Sequence, residues 1–162
     1  MAEGEFALVK NHLETASKMP VSSRGFSMNE TERYFLLADL AVLERDAVAL
    51  RQYAPRAEEM ARRDGHILFQ ASAHRAWGVL NRLMGDYAQA EARLNQALEF
   101  FQELDTGWPI GRTLYELAEL AFAREDHTEA RDHFSRALVA FEEIGANPDA
   151  ARTREALRSL DG

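Results

Sequence analysis

Apolar residues recur in this chain at intervals of three and four residues, which is the spacing of one face of an α-helix. Ala90, Leu94, Ala97 and Phe101 form one such stripe, and no segment alternates apolar and polar residues for long enough to form a strand. The pattern therefore predicts an all-α protein. Seven helices are expected, near residues 30–43, 46–64, 67–83, 86–104, 109–123, 126–144 and 148–160.

The helical stripes themselves repeat along the chain every 40 residues. Alanine recurs at this interval at Ala57, Ala97 and Ala137. Other columns with the same period are Ala38, Gly78 and Ala118; Leu40, Leu80 and Leu120; Leu37, Trp77 and Leu117; and Asp46, Asp86 and Asp126. A period between roughly 20 and 50 residues is typical of stacked repeats. We therefore expect three antiparallel helix pairs, with the last helix capping the apolar face of the third pair.

Capping residues place the helix ends. The three periodic aspartates are expected to be N-caps, and Gln89 and Glu129 are expected to complete capping boxes with Asp86 and Asp126. Asn29 and Glu32 form a similar pair. Asn147 is expected to be an N-cap before Pro148, and Pro109 is expected in a first turn. Gly65 and Gly145 are expected to end helices. Pro55 is expected to bend the second helix or to mark an irregular first half of it.

Residues 1–28 lie outside the period, and we expect them to be a segment separate from a repeat domain at 29–162. Phe6, Val9 and Leu13 have the spacing of a short amphipathic helix. Three interpretations remain open: the segment covers the first repeat, it docks into a second copy and forms a homodimer, or it was appended for expression. We favour packing on the repeats.

The second unit resembles the tetratricopeptide repeat (TPR). The residues that carry the resemblance are Trp77, Gly78, Gly85, Tyr87, Ala90, Leu94 and Ala97, and the third unit repeats it with Leu117, Ala118, Ala130, Phe134 and Ala137. Glu125 and His127 depart from the family's glycine and tyrosine. The resemblance covers residues 30–160 and implies a right-handed α-solenoid of three antiparallel helix pairs plus a C-terminal capping helix.

The period exceeds the usual TPR length of about 34 residues. In this the chain is similar to the repeat regions of bacterial transcriptional and signalling regulators, such as the maltose-regulon activator and related signalling ATPases. That similarity implies protein–protein interaction and signalling, and in some regulators the sensing of a small molecule.

Composition narrows the class further. The 162 residues carry a net charge of −8 and include no cysteine. No apolar run approaches the ~20 residues that span a bilayer, and no signal-peptide core is present, so we expect a cytoplasmic protein without a membrane partner. A negative field repels phosphate backbones, so no direct nucleic-acid partner is expected.

Motifs of catalysis are missing from the sequence. No phosphate-binding glycine loop, G-x-S-x-G elbow or H-E-x-x-H sequence is present. Asp126, His127, Asp132 and His133 come nearest to a metal-binding set, but the two histidines lie six residues apart and so on different helix faces. We therefore expect neither an enzyme nor a cofactor nor a metal site.

The resemblance implies a concave surface lined by the first helix of each pair. The residues at the matching positions, which we expect to bind a partner, are Phe35, Asp39, Arg75, Val79, Arg82, Arg112, Tyr115, Glu119 and Phe122. Arginine forks suit carboxylates, so the expected partner is a peptide or helix, with an acidic one favoured. The lysine and asparagine of chaperone-binding TPRs are absent, since Phe35 and Asp39 occupy their places.

Other interpretations of this surface remain open. Arg75 has Asp39 as an alternative partner, Arg112 has Glu116, and the two phenylalanines are also suited to the core. The competing functions are a sensor that binds a small polar molecule in the same concavity and a module for dimerisation.

Overall fold

Seven α-helices occupy most of residues 29–160, which together with Thr15 are the residues described in the computed structural model. They are α1 (Glu30–Glu44), α2 (Ala47–Asp64), α3 (Ile67–Leu83), α4 (Tyr87–Glu103), α5 (Gly107–Ala123), α6 (His127–Glu143) and α7 (Asn147–Ser159). Successive helices pack into a solenoid of three antiparallel pairs closed by α7, as the sequence predicts. The predicted segment 1–28 lies outside the described residues, apart from Thr15.

The turns between the helices follow a common plan. Each ends a helix with one residue in the left-handed region: Arg45, Gly85 and Glu125 within the pairs, and Gly65, Asp105 and Gly145 between the pairs. The second helices begin at Ala47, Tyr87 and His127, so their starts are 40 residues apart. Gly65 and Gly145 end α2 and α6 as expected.

Aspartate caps begin the second helix of each pair. The Asp86 and Asp126 carboxylates accept from the backbone N–H of Gln89 and Glu129, at 3.2 and 2.9 Å. The reciprocal half of the predicted capping boxes is not formed at either site within the described residues. Asn29 and Glu32 do form a complete box.

Two predicted features near prolines differ in the structure. Asn147 is the first residue of α7 rather than its N-cap, which is Ala146, so the helix begins one residue earlier than expected. Pro55 lies inside α2, which is a continuous helix from Ala47 to Asp64, so the first half of that helix is not irregular.

Small side chains set the distance between paired helices. Ala57, Ala97 and Ala137 are all buried, and Gly78 of α3 lies against Leu94 of α4. A Cβ atom added to Gly78 would lie 2.5 Å from Leu94 Cγ, so the two helices are as close as a glycine allows. The core therefore depends on a small residue at each crossing.

The capping helix α7 covers the end of the third pair. Its Ala150 and Thr153 are buried, and Leu157 and Leu160 pack against the cluster that contains Phe134 and other residues of α4, α5 and α6. This arrangement leaves α1, α3 and α5, the first helices of the three pairs, to carry the face on which the sequence places a binding site.

Candidate functional site

The nine residues expected to bind a partner differ in how far solvent reaches them. Arg75, Val79, Arg112 and Tyr115 are buried; Phe35, Asp39, Arg82 and Glu119 are half-buried; and Phe122 is exposed. Val79 belongs to the hydrophobic cluster between α1, α2 and α3, and Tyr115 belongs to the one between α4, α5 and α6, so both side chains are part of the core. The remaining seven form what we call the inner face.

Arg75 links the first two pairs. Its side chain is only 1% exposed, and Nη2 donates to Asp39 Oδ1 of α1. The guanidinium carbon lies 5.1 Å from the centre of the Phe101 ring. The alternative pairing of Arg75 with Asp39 is therefore formed. Its Nε has no hydrogen-bond acceptor in the part of the chain that the structure describes.

Arg82 links the second pair to the third through two carboxylates of α5. Its Nη2 donates to Glu116 Oε2 at 2.9 Å, and its Nη1 lies 3.6 Å from Glu119 Oε2. Glu116 is 2% exposed, so a buried carboxylate depends on this arginine. Glu119 also contacts Arg45, at 3.1 Å. Because Arg45 ends α1, this contact joins the first pair directly to the third.

Arg112 is the least satisfied cation of the inner face. It is 2% exposed, and its Nη2 lies 4.0 Å from Glu116 Oε1, which is beyond hydrogen-bond distance. The Trp108 ring lies 5.1 Å from its guanidinium carbon. Burial, reinforced by the nearby charge of Arg75, lowers the pKa of Arg112 to about 10. The group is therefore still charged at neutral pH, with few partners to stabilise that charge.

The aromatic residues take three different positions. Phe35 packs against Phe69, with ring centres 5.0 Å apart, and Tyr115 lies edge-on to Phe134 in the core. Phe122 is 49% exposed and lies edge-on to His127. It is thus the one large apolar side chain among the nine predicted residues that solvent reaches freely.

The stacked helix pairs have a small residue at each helix crossing. They form a TPR-like helical repeat. The chain is similar in fold to a Rap protein. The crystal structure of that protein complexed with Competence and Sporulation Factor matches with a TM-score of 0.84 and 18% sequence identity. The match covers 98% of this chain and 44% of the Rap chain, so this chain spans less than half of its length. No family model matches the sequence, and no curated protein matches it significantly.

The Rap-like fold brings together residues that the sequence pattern did not select. Arg45 was missed because its role depends on the curvature that brings α1 near α5. Arg152 of α7, which lies 4.4 Å above the Tyr115 ring, was missed although it stands 40 residues after Arg112. Glu116 was considered only as a partner of Arg112, whereas its closest cation is Arg82. Extending the 40-residue period from Arg112 would have identified Arg152, but no local sequence signal identifies Arg45.

The inner face holds arginines, carboxylates and aromatic rings. Among the described residues, no group of three or more His, Cys, Asp or Glu side chains could hold a metal ion. Within the same residues, no helix is both long enough and apolar enough to span a bilayer.

Proposed function

We propose that this chain is a non-catalytic scaffold that binds a peptide or helix of a partner protein along the inner face, with acidic residues opposite its arginines. The observation that carries the proposal is Arg112, a buried cation whose nearest carboxylate lies 4.0 Å away and whose Nε has no acceptor among the described residues. A carboxylate supplied by a partner would complete its hydrogen bonding once a neighbouring side chain, such as Trp108, moves and uncovers the guanidinium.

The ion pairs of the inner face are compatible with this function. Asp39 and Glu116 hold Arg75 and Arg82 as a partner's carboxylates would, so they act as internal competitors. The exposed Phe122 adds apolar contact area to the inner face. The fold supports the proposal as well, because a Rap protein of this architecture was solved with a second molecule bound.

The proposal is tested by presenting the protein with fluorescein-labelled peptides of equal length and graded acidic content, and by measuring fluorescence anisotropy. Acidic peptides should bind, and added salt should weaken the binding. Binding should be lost in Arg112→Met, which removes a poorly paired buried cation and should therefore leave the fold intact. Arg136→Gln, a change at an exposed pair on α6, is the matched control.

Substitution of Asp39 distinguishes an inner face that binds acidic peptides from one whose ion pairs only stabilise the fold. In Asp39→Asn, Arg75 loses its charged competitor, so the affinity for the best acidic peptide should rise roughly fivefold. The same anisotropy titration measures this. If the affinity falls or stays constant in Asp39→Asn while Arg112→Met binds normally, the inner face is a structural ion network and the proposal is wrong.

We further propose that each helix pair is a 40-residue repeat of the kind found in bacterial signalling regulators. We also propose that the protein acts in the cytoplasm. In the same proposal, residues 1–28 pack on the repeats, with docking into a second copy as the alternative. Sedimentation velocity on the full chain and on a chain shortened to residues 29–162 separates the two. Both chains should sediment as monomers, and a full-length dimer that becomes a monomer on shortening would overturn this part of the proposal.

A further inference from the structure

A small cleft lies between α4, α5 and α6, away from the inner face. Its volume is about 130 Å³. Leu117 and Leu120 of α5 are buried and form its floor. Its mouth is charged and is formed by Glu91, Arg124, Glu129 and His133.

The cleft exists because two large side chains of the second repeat are replaced by smaller ones in the third. Forty residues before Leu117 stands Trp77, and forty before His133 stands Arg93. In the second repeat the Arg93 guanidinium carbon lies 5.6 Å from the Trp77 ring centre, so these two side chains pack together. Leucine and histidine at the equivalent positions are smaller, and the space between the helices remains open.

Both signs of charge meet at the mouth. Arg124 Nη1 donates to Glu91 Oε2 at 3.0 Å, and both side chains remain partly exposed. His133 Nε2 lies 3.7 Å from Glu129 Oε1, too far for a hydrogen bond. His133 Nδ1 is buried without a hydrogen-bond partner in the described part of the chain. Burial, together with the charge of Arg136, lowers the pKa of His133, so the ring is neutral at pH 7 and has one nitrogen free to accept.

We propose that this cleft binds a small aliphatic α-amino acid. Arg124 receives the carboxylate, Glu129 and the acceptor nitrogen of His133 receive the ammonium group, and Leu117 and Leu120 contact the aliphatic side chain. An engineered cavity of about 150 Å³ binds benzene, which has six heavy atoms. The charged groups of the ligand stay at the open mouth, so the cleft needs to hold only the aliphatic part of alanine or valine, and it excludes tryptophan. The site is independent of the inner face and of what binds there.

Isothermal titration calorimetry on the full chain tests the ligand class. The probes are L-valine, isobutylamine, which lacks the carboxylate, and isovalerate, which lacks the ammonium group. Valine should bind at least about tenfold more tightly than either fragment, because only valine meets both charges of the mouth. Equal affinity of a fragment and valine would overturn the assignment, and so would the absence of binding by both valine and alanine.

Variants locate the binding in the cleft. Leu117→Trp restores the residue of the second repeat and should abolish valine binding in a protein that still folds, as judged by circular dichroism. Arg124→Gln changes an exposed side chain and should weaken valine binding roughly tenfold, which keeps the test valid if Leu117→Trp fails to fold. Arg56→Gln, a change at an exposed pair on α2 that does not line the cleft, is the control and should leave the affinity unchanged. Normal valine binding in Arg124→Gln would place the ligand elsewhere.

Discussion

Replacing Arg82 by methionine should lower the free energy of unfolding by about 3–5 kcal/mol, the cost of leaving a buried charge without its partner. Glu116 is 2% exposed and accepts from Arg82 at 2.9 Å, whereas its other cation, Arg112, lies 4.0 Å away. Methionine fills much of the same volume, so the loss reports on charge rather than on a cavity. Urea denaturation followed by circular dichroism measures it.

Two variants show whether the unpaired Glu116 carboxylate causes the loss of stability in Arg82→Met. Arg82→Met combined with Glu116→Gln should recover a large part of the lost stability, because the second change removes the uncompensated charge. Arg136→Met breaks an exposed pair with Asp132 and should change stability by less than about 0.5 kcal/mol. If Arg82→Met and Arg136→Met are equally mild, Glu116 is not stabilised by Arg82.

Replacing Gly78 by alanine should destabilise the protein by about 2 kcal/mol, although alanine favours a helix. The added Cβ would lie 2.5 Å from Leu94 Cγ and 2.7 Å from Cδ2, and Leu94 is fully buried. Overpacking of this kind costs typically ~1–3 kcal/mol or more, against a gain in helix propensity of ~1 kcal/mol. For a chain of this size, the melting temperature should fall by roughly 4–8 °C in differential scanning calorimetry.

Gly107→Ala is the matched control for this prediction. Its Cβ would meet Ile144 Cγ2 at 2.8 Å, but Ile144 is an exposed side chain that is free to rotate away. The shift requires a new χ1 rotamer of a β-branched side chain, so the melting temperature should fall, but by less than in Gly78→Ala. A Gly78→Ala protein as stable as Gly107→Ala would mean that α3 and α4 separate without cost, contrary to the close packing described above.

Much of the fold could be predicted because the relevant signals are local. Period-3.6 stripes, a glycine stop at Gly65 before the helix and the Asp86 cap of the next helix place α3 at 67–83, the same bounds that the structure gives. The start of α5 was expected at Pro109, whereas the helix begins at Gly107 and the proline is its third residue. A third position is equally suitable for proline, since the backbone N–H groups of a first turn have no partner within the helix.

The site was less predictable, because exposure depends on distances between helices. Register placed Arg75, Arg82 and Arg112 on the first helices, but it could not show that Arg75 and Arg112 are almost fully covered. Nor does register decide whether Arg75 pairs with a partner's carboxylate or with Asp39. The contact between Arg45 and Glu119 depends on the curvature of the whole array, which no local pattern encodes.

The contact between Arg45 and Glu119 has a bearing on how this protein can change over evolution. Repeat arrays commonly lengthen by duplication of a unit, since each unit touches only its neighbours. Here a guanidinium reaches past the middle pair to the one beyond, at 3.1 Å. A duplicated middle unit would carry these two groups out of reach of each other, so lengthening this stretch of the solenoid would break the contact.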